Sequence, residues 1–286
     1  MSERACTFGS QGGLVGILCE PHGGSAPSLP GVLLLNAGLD HHVGPNRLNV
    51  DLARHLAGLG FTSLRFDLSG LGDSEPRRDQ RSDEERAVAD VAEAMDFLGE
   101  LRGVSGFVVI ALCSGVDPAH AVAVRDPRVR GAVFLNGYEY PTVRTLRRHR
   151  LLRARRVLVP AGYARVLRRW LHRGGRPEVG RSAIFVRSYP AVAQFRGDLT
   201  AMLARGTELL FLYTRHHYDV VRIGQFADMI GEPRVPRGIE VEYWPGLDHV
   251  LTPVAERRRA VAGIGAWALA RFGGETAADG VARPVG

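Results

Sequence analysis

The chain runs to 286 residues, 45% hydrophobic and 23% charged, enough to bury a full globular core in one large domain. Its three cysteines, Cys6, Cys19 and Cys113, are widely spaced and lack histidine companions, which argues against a disulfide framework or a zinc site. No apolar run is long enough to span a membrane, and no signal-peptide core opens the sequence, so a cytoplasmic location is expected.

Strand-like and helix-like segments then alternate. "PGVLLLNAG" (30–38) is an apolar run ending in small residues, the pattern of a strand buried on both faces. In "NRLNVDLARHLAGLGF", Leu48, Leu52, Leu56 and Leu59 fall at helical spacing, with Gly60 as the stop. "TSLRFDL" is the next strand and leads into the Gly-rich turn "SGLGDSEP". That turn lacks the lysine and the spacing of a phosphate-binding loop and is read as structural. Val88, Val91, Met95 and Leu98 mark an amphipathic helix over Asp83–Leu101. "FVVIAL" (107–112) is a third strand, "SGVDPAHAVAV" a helix and "VRGAVFLNGY" a fourth strand. "ELLFLYT" (208–214), "IEVEYWPG" (239–246) and the helix "TPVAERRRAVAGIGAWALARF" complete the series. This alternation predicts an α/β fold with a mostly parallel sheet covered by helices on both faces.

The rhythm breaks once, at residues 138–206, which are expected to form a helical cap over the C-terminal edge of the sheet. Residues 1–137 and 207–272 would then make the core, and the Gly/Ala/Pro-rich tail 273–286 is expected to be disordered. All 37 basic residues are arginine, and the net charge is +7. Within 138–187, 14 arginines face only Glu139 and Glu178, so this segment carries a net +12. It makes the whole chain basic and suggests a negatively charged partner or substrate.

The stretch "ALCSG" (111–115) closes a strand and opens a helix. A nucleophile on such a sharp turn needs small residues two positions to each side. Centred on Cys113 the flanks are Ala111 and Gly115; centred on Ser114 they are Leu112 and Val116. Sterics select Cys113. A thiol at a helix N-terminus also faces the positive end of the helix dipole, which favours the thiolate.

On "LLLNAG", "LARHLAGLGFTSLRFDLSGLGDS", "ALCSG" and "GLDHVLTP", the chain resembles the α/β-hydrolase fold superfamily from about Phe8 to Phe272. Within it, "GPNRLNVDLARHLAGLGF" with the "LCSG" elbow resembles the exosortase-associated and other peptidase- or esterase-like members. The resemblance implies Cys113 as nucleophile and His249 as general base, in the family's chain order. The acid would be Asp219, with Glu139 after the fourth strand as the alternative; Asp248 is expected to shape the His249 loop. The oxyanion hole would use the N–H groups of Ser114 and of Gly38, with Leu39 as the alternative, and Asn36 stands where the family has histidine. His41 and His42 line the entrance without an assigned role.

No cofactor and no metal are expected. The implied reaction is acyl transfer through an acyl-Cys113 intermediate, by a thioesterase- or esterase-type hydrolase or an acyltransferase. Thioesters are favoured because a thiolate exchanges one C–S bond for another at nearly equal energy. The basic cap would suit an acidic carrier protein or coenzyme A, since arginine binds phosphate in bidentate fashion. An anionic membrane surface is a rival partner; nucleic acid is disfavoured because no binding motif accompanies the charge. The alternative is a catalytically silent relative that binds a ligand or partner through the cap.

Overall fold

The computed structural model describes residues 1–23, 28–143, 145–147, 151, 189–214 and 224–274. Its elements are β1 (Ser2–Phe8), β2 (Leu14–Glu20), β3 (Gly31–Leu35), α1 (Leu48–Gly58), β4 (Ser63–Phe66), α2 (Asp83–Arg102) and β5 (Phe107–Leu112). There follow α3 (Val116–Arg125), β6 (Val129–Leu135), α4 (Val192–Ala204), β7 (Glu208–Thr214), α5 (Gln225–Ile230), β8 (Ile239–Trp244) and α6 (Val254–Phe272). The strands form one sheet in the order β1-β2-β4-β3-β5-β6-β7-β8, antiparallel at β1–β2 and β2–β4 and parallel from β4 onward.

Alternate residues of the central strands feed two cores. Leu33, Leu35, Val109, Ala111, Ala132, Phe134 and Phe211 face the layer of α2, α3, α4 and α5. Val32, Leu34, Val108, Ile110, Val133, Leu135 and Leu210 face the layer of α1 and α6. A strand apolar on both faces therefore has no polar side to show, which is why these segments read as unbroken hydrophobic runs. Helix α2 starts where the sequence sets a capping box: Ser82 Oγ accepts the Glu85 N–H, and the Glu85 carboxylate accepts the Ser82 N–H. It ends at Gly103, in the left-handed region at φ 68°.

Among the described residues, the six expected strands and four expected helices are present, joined by strands β1 and β2 and helices α4 and α5. Strands β1 and β2 form an N-terminal hairpin around Gly9–Gly12. Helix α4 lies within 138–206, and its Phe195, Leu199 and Met202 are buried in the α2/α3-side core. Most of the expected cap (148–150 and 152–188), Asp219 and the tail from residue 275 lie outside the described residues. Among the described residues, no helix is long and apolar enough to cross a membrane.

Candidate active site

Parallel register brings the strand ends level. Leu35 of β3 sits beside Ala111 of β5, Leu112 of β5 beside Leu135 of β6, and Leu135 beside Leu212 of β7. The residues that follow, 36–38, 113–115, 136 and 214, are thereby placed side by side along one edge. From β3 the chain runs first to β4 on one side and then to β5 on the other. Loops leaving β3 and β5 therefore diverge, and a crevice opens between them.

Cys113 stands at that crevice with φ 53°, in the left-handed region that non-glycine residues seldom enter. It is the bend between β5 and α3. A Cβ on Gly115 would overlap the Asn36 carbonyl oxygen and lie 3.0 Å from its carbonyl carbon, so only glycine fits where α3 starts against the end of β3. The spacing argument for Cys113 thus has a concrete cause two residues downstream. Cys113 is half-buried and packs against the α1/α6 layer. Leu247 and Leu251, on either side of His249, insert into that same layer.

Ser114 points the other way, into a cleft of about 870 Å³ that Asn36, Gly38, Leu39, Gly115, Asp117 and His120 help to line. The two expected oxyanion-hole residues meet here. Gly38, at φ 54°, donates its N–H to Ser114 Oγ at 2.5 Å. The Ser114 hydroxyl therefore occupies the acceptor position at this amide. Leu39 is 63% exposed at the rim of the same cleft.

Asn36 is held by its side chain: Nδ2 donates to Phe66 O and Asp67 Oδ1, and Oδ1 accepts from Asn49 Nδ2 at 2.6 Å. Asp67 is fully buried, and its Oδ2 takes hydrogen bonds from His42 Nδ1 at 2.7 Å and the Asp73 N–H at 3.1 Å. Burial works to raise this carboxyl, but the bonds from His42 and Asp73 outweigh it and leave it below the ordinary range. A Cβ on Gly72 would collide with the same carboxylate, and Ser74 Oγ donates to Asp67 O while accepting the Val15 N–H. "GLGDS" is thus a scaffold around Asp67.

The His249 loop is pinned through its main chain. Asn136 Nδ2 donates to His249 O at 3.2 Å, and Asn46 Nδ2 to Val250 O at 2.9 Å. Asp248 Oδ1 accepts the Thr252 N–H at 2.8 Å, which holds its carboxyl below the usual range. Arg257 of α6 donates to the Leu251 and Thr252 carbonyls. Asn136, at φ 49°, also accepts from Thr214 N and Oγ1 through Oδ1, so one amide joins the ends of β6 and β7 to the His249 loop. Its role was not anticipated, although the Asn-Gly pair after an apolar run signals a turn. Asn136→Ala is expected to cost about 1–3 kcal/mol in chemical denaturation, because it strands the Thr214 groups on β7 and the His249 carbonyl on its loop. Glu139 lies half-buried just beyond Tyr138, close enough to Tyr213 to add to the burial that raises that phenol. Among the described residues, no hydrogen bond joins Cys113 to His249, and the place of Asp219 is not described.

Along α3 the cleft reaches His120, only 6% exposed, whose Nε2 lies 3.5 Å from Asp198 Oδ2 on α4. Burial pushes the imidazole down to about 4 and the carboxyl up. His120 therefore stays neutral when folded and would take a proton near 6.5 when unfolded. Its contribution is complete above that value and is lost as pH falls toward about 4, by up to about 3 kcal/mol. Asp198 acts in the opposite sense, returning part of the loss at the acid end. His120→Phe is expected to flatten this fall, as read from unfolding midpoints between pH 7 and pH 4.

A left-handed residue on a strand–helix bend, a backbone amide just after the neighbouring strand and a histidine loop before α6 lie where an α/β-hydrolase fold carries its site. Residues 30–182 match the family model described as the alpha/beta hydrolase fold, and the chain belongs to that family. No curated protein matches the chain at a significant level. Among solved structures, Est1E from Butyrivibrio proteoclasticus is similar at 12% identity and a TM-score of 0.60, over 94% of this chain and 99% of that one. The esterase domain of a Rhodothermus marinus protein is similar at 19% identity and a TM-score of 0.55, over 93% and 98%. An alpha-beta serine hydrolase homologue from Coxiella burnetii is similar at 13% identity and a TM-score of 0.52, over 95% and 98%. At these identities the likeness is one of fold.

Proposed function

We propose that this chain is an acyl-transfer hydrolase that works through an acyl-Cys113 intermediate, with thioesters as its favoured substrates. The observation that carries the reading is the left-handed backbone at Cys113, held by the contact of Gly115 with Asn36. That bend sets a side chain on the turn between strand and helix where the fold carries a nucleophile, next to Ser114 and Gly115, which line the cleft. The Cys113 thiolate attacks the substrate carbonyl and forms a new C–S bond. The N–H groups of Ser114 and Gly38 receive the oxyanion, once the Ser114 hydroxyl has turned away from Gly38. Collapse of the tetrahedral intermediate expels the leaving thiolate, which takes the proton that His249 had drawn from the Cys113 thiol. His249 then withdraws a proton from water as it attacks the thioester, and the acid leaves with the thiol restored. Asp219, or Glu139 in its place, would orient the imidazole.

Thiol chemistry biases the substrate, since attack on a thioester is nearly isoenergetic whereas attack on an amide is uphill. The arginine-rich segment 138–187 suits the phosphate of a pantetheine arm, on coenzyme A or on an acidic carrier protein. The fully engaged Gly38 amide favours the second reading, a silent family member that binds a ligand or partner through the basic cap.

One experiment separates the two. The protein is incubated with acyl-N-acetylcysteamine thioesters of graded chain length and its intact mass is followed. An increment equal to the acyl group, absent from Cys113→Ala, is the expected result. No increment with any chain length would leave the binding reading in place.

A further inference from the structure

His41 and His42 have no part in the acyl-transfer reading, yet they sit in a defined constellation. The two rings are 3.8 Å apart between centroids. His41 Nε2 lies 3.1 Å from Asp73 Oδ2, and His42 Nδ1 lies 2.7 Å from Asp67 Oδ2. One donor atom from each of the four residues falls within 4.8 Å of every other. A tetrahedral ion with bonds of about 2.0–2.2 Å needs donor separations of about 3.4 Å, so the set closes around such an ion with small side-chain movements.

A second observation points to a cation. Among the described residues, two aspartates are fully buried, with opposite surroundings. Asp90 is matched by a guanidinium, Arg77 Nε at 2.6 Å. Asp67 has no arginine partner among the described residues; its side chain meets the imidazole of His42, with the second carboxylate of Asp73 nearby. Buried carboxylates are ordinarily paired or bound to metal. The outer contacts are also those of a ligand set: Asn36 Nδ2 on Asp67 Oδ1 and the Asp73 N–H on Oδ2 fix the carboxylate's orientation.

We infer that His41, His42, Asp67 and Asp73 form a binding site for one divalent transition-metal ion of the Zn²⁺ type. Two imidazole nitrogens and two carboxylate oxygens fill all four positions, so the site is closed and structural, with no place left for substrate. Its effect is to clamp residues 38–42, after β3, onto the turn after β4, and so to steady the backbone that carries Gly38. This inference is independent of the acyl-transfer reading.

The test uses the full-length chain, stripped with a chelator and titrated with Zn²⁺ alone against a chromophoric competitor. His41→Ala and Asp73→Asn are the diagnostic variants, because those side chains are 44% and 60% exposed and their loss leaves the core intact. Expected are one equivalent bound by the unaltered chain, a higher melting temperature on loading, and affinity at least about tenfold weaker in each variant. Co²⁺ in place of Zn²⁺ should develop the strong visible bands of a four-coordinate ion. No binding, or binding equally strong in the chain and both variants, overturns the site.

Discussion

Gly115→Ala is expected to destabilise the fold by about 3 kcal/mol or more and to remove any acyl-transfer activity with it. The added methyl would meet the Asn36 carbonyl group and would lie 3.5 Å from the Leu35 carbonyl carbon. These are backbone atoms at the end of a central strand and of the residue just after it. They cannot yield without parting β3 from β5, which pair from Gly31–Phe107 to Leu35–Ala111. Flexible side chains elsewhere could absorb such a contact; main chain on main chain cannot. The control is Gly58→Ala near the end of α1, where a Cβ meets nothing within 4 Å. There alanine should stabilise slightly through its helix propensity. Urea denaturation of the two variants beside the unaltered chain gives shifts of opposite sign if the crowding at the elbow is real. An unchanged midpoint for Gly115→Ala would remove the basis for placing Cys113 on a forced bend.

His249→Ala is expected to lower kcat/KM for a thioester by about 10²–10⁴-fold, the usual worth of a positioned general base. Stability should fall far less than turnover, because several anchors of the loop use main-chain atoms. Asn136 grips the His249 carbonyl, Asn46 the Val250 carbonyl, and Arg257 the carbonyls of Leu251 and Thr252. Steady-state turnover and the melting temperature, measured on the same preparation, check both halves. A variant that keeps its turnover would free His249 from the reaction; one that loses turnover only in proportion to lost folded protein would do the same.

The parallel core was legible because burial on both faces leaves its own mark. "PGVLLLNAG", "FVVIAL" and "ELLFLYT" have no polar alternation to confuse them with surface strands, and each coincides with a strand of the sheet to within a few residues. Strand β1 left no such mark: of its seven residues only Phe8 is buried. Helix α4 was hidden inside a segment dominated by arginine, although Phe195, Leu199 and Met202 form a regular inward stripe. At the site, local sterics could be read and side-chain networks could not. The small flanks of Cys113 follow from five adjacent letters. The amide of Asn136, which unites β6, β7 and the His249 loop, depends on residues as much as 113 positions apart. Fourth-strand periodicity was extended through Tyr138, whereas the strand stops at Leu135 and Asn136 turns left-handed. Asp67 likewise looked like one polar residue near the end of the strand "TSLRFDL", while folding gathers His42, Asn36 and Asp73 around it.

The Ser114 hydroxyl seated on the Gly38 amide makes the resting protein its own competitor. Under the proposed acyl-transfer reading, any small anion seeking that amide must first evict an oxygen already in place, so weak ligands such as product carboxylates would be discriminated against. A carbonyl under attack gains negative charge as it arrives and is the better claimant. Threshold occupancy of this kind rewards the reacting state over the spent one, using a single rotatable side chain.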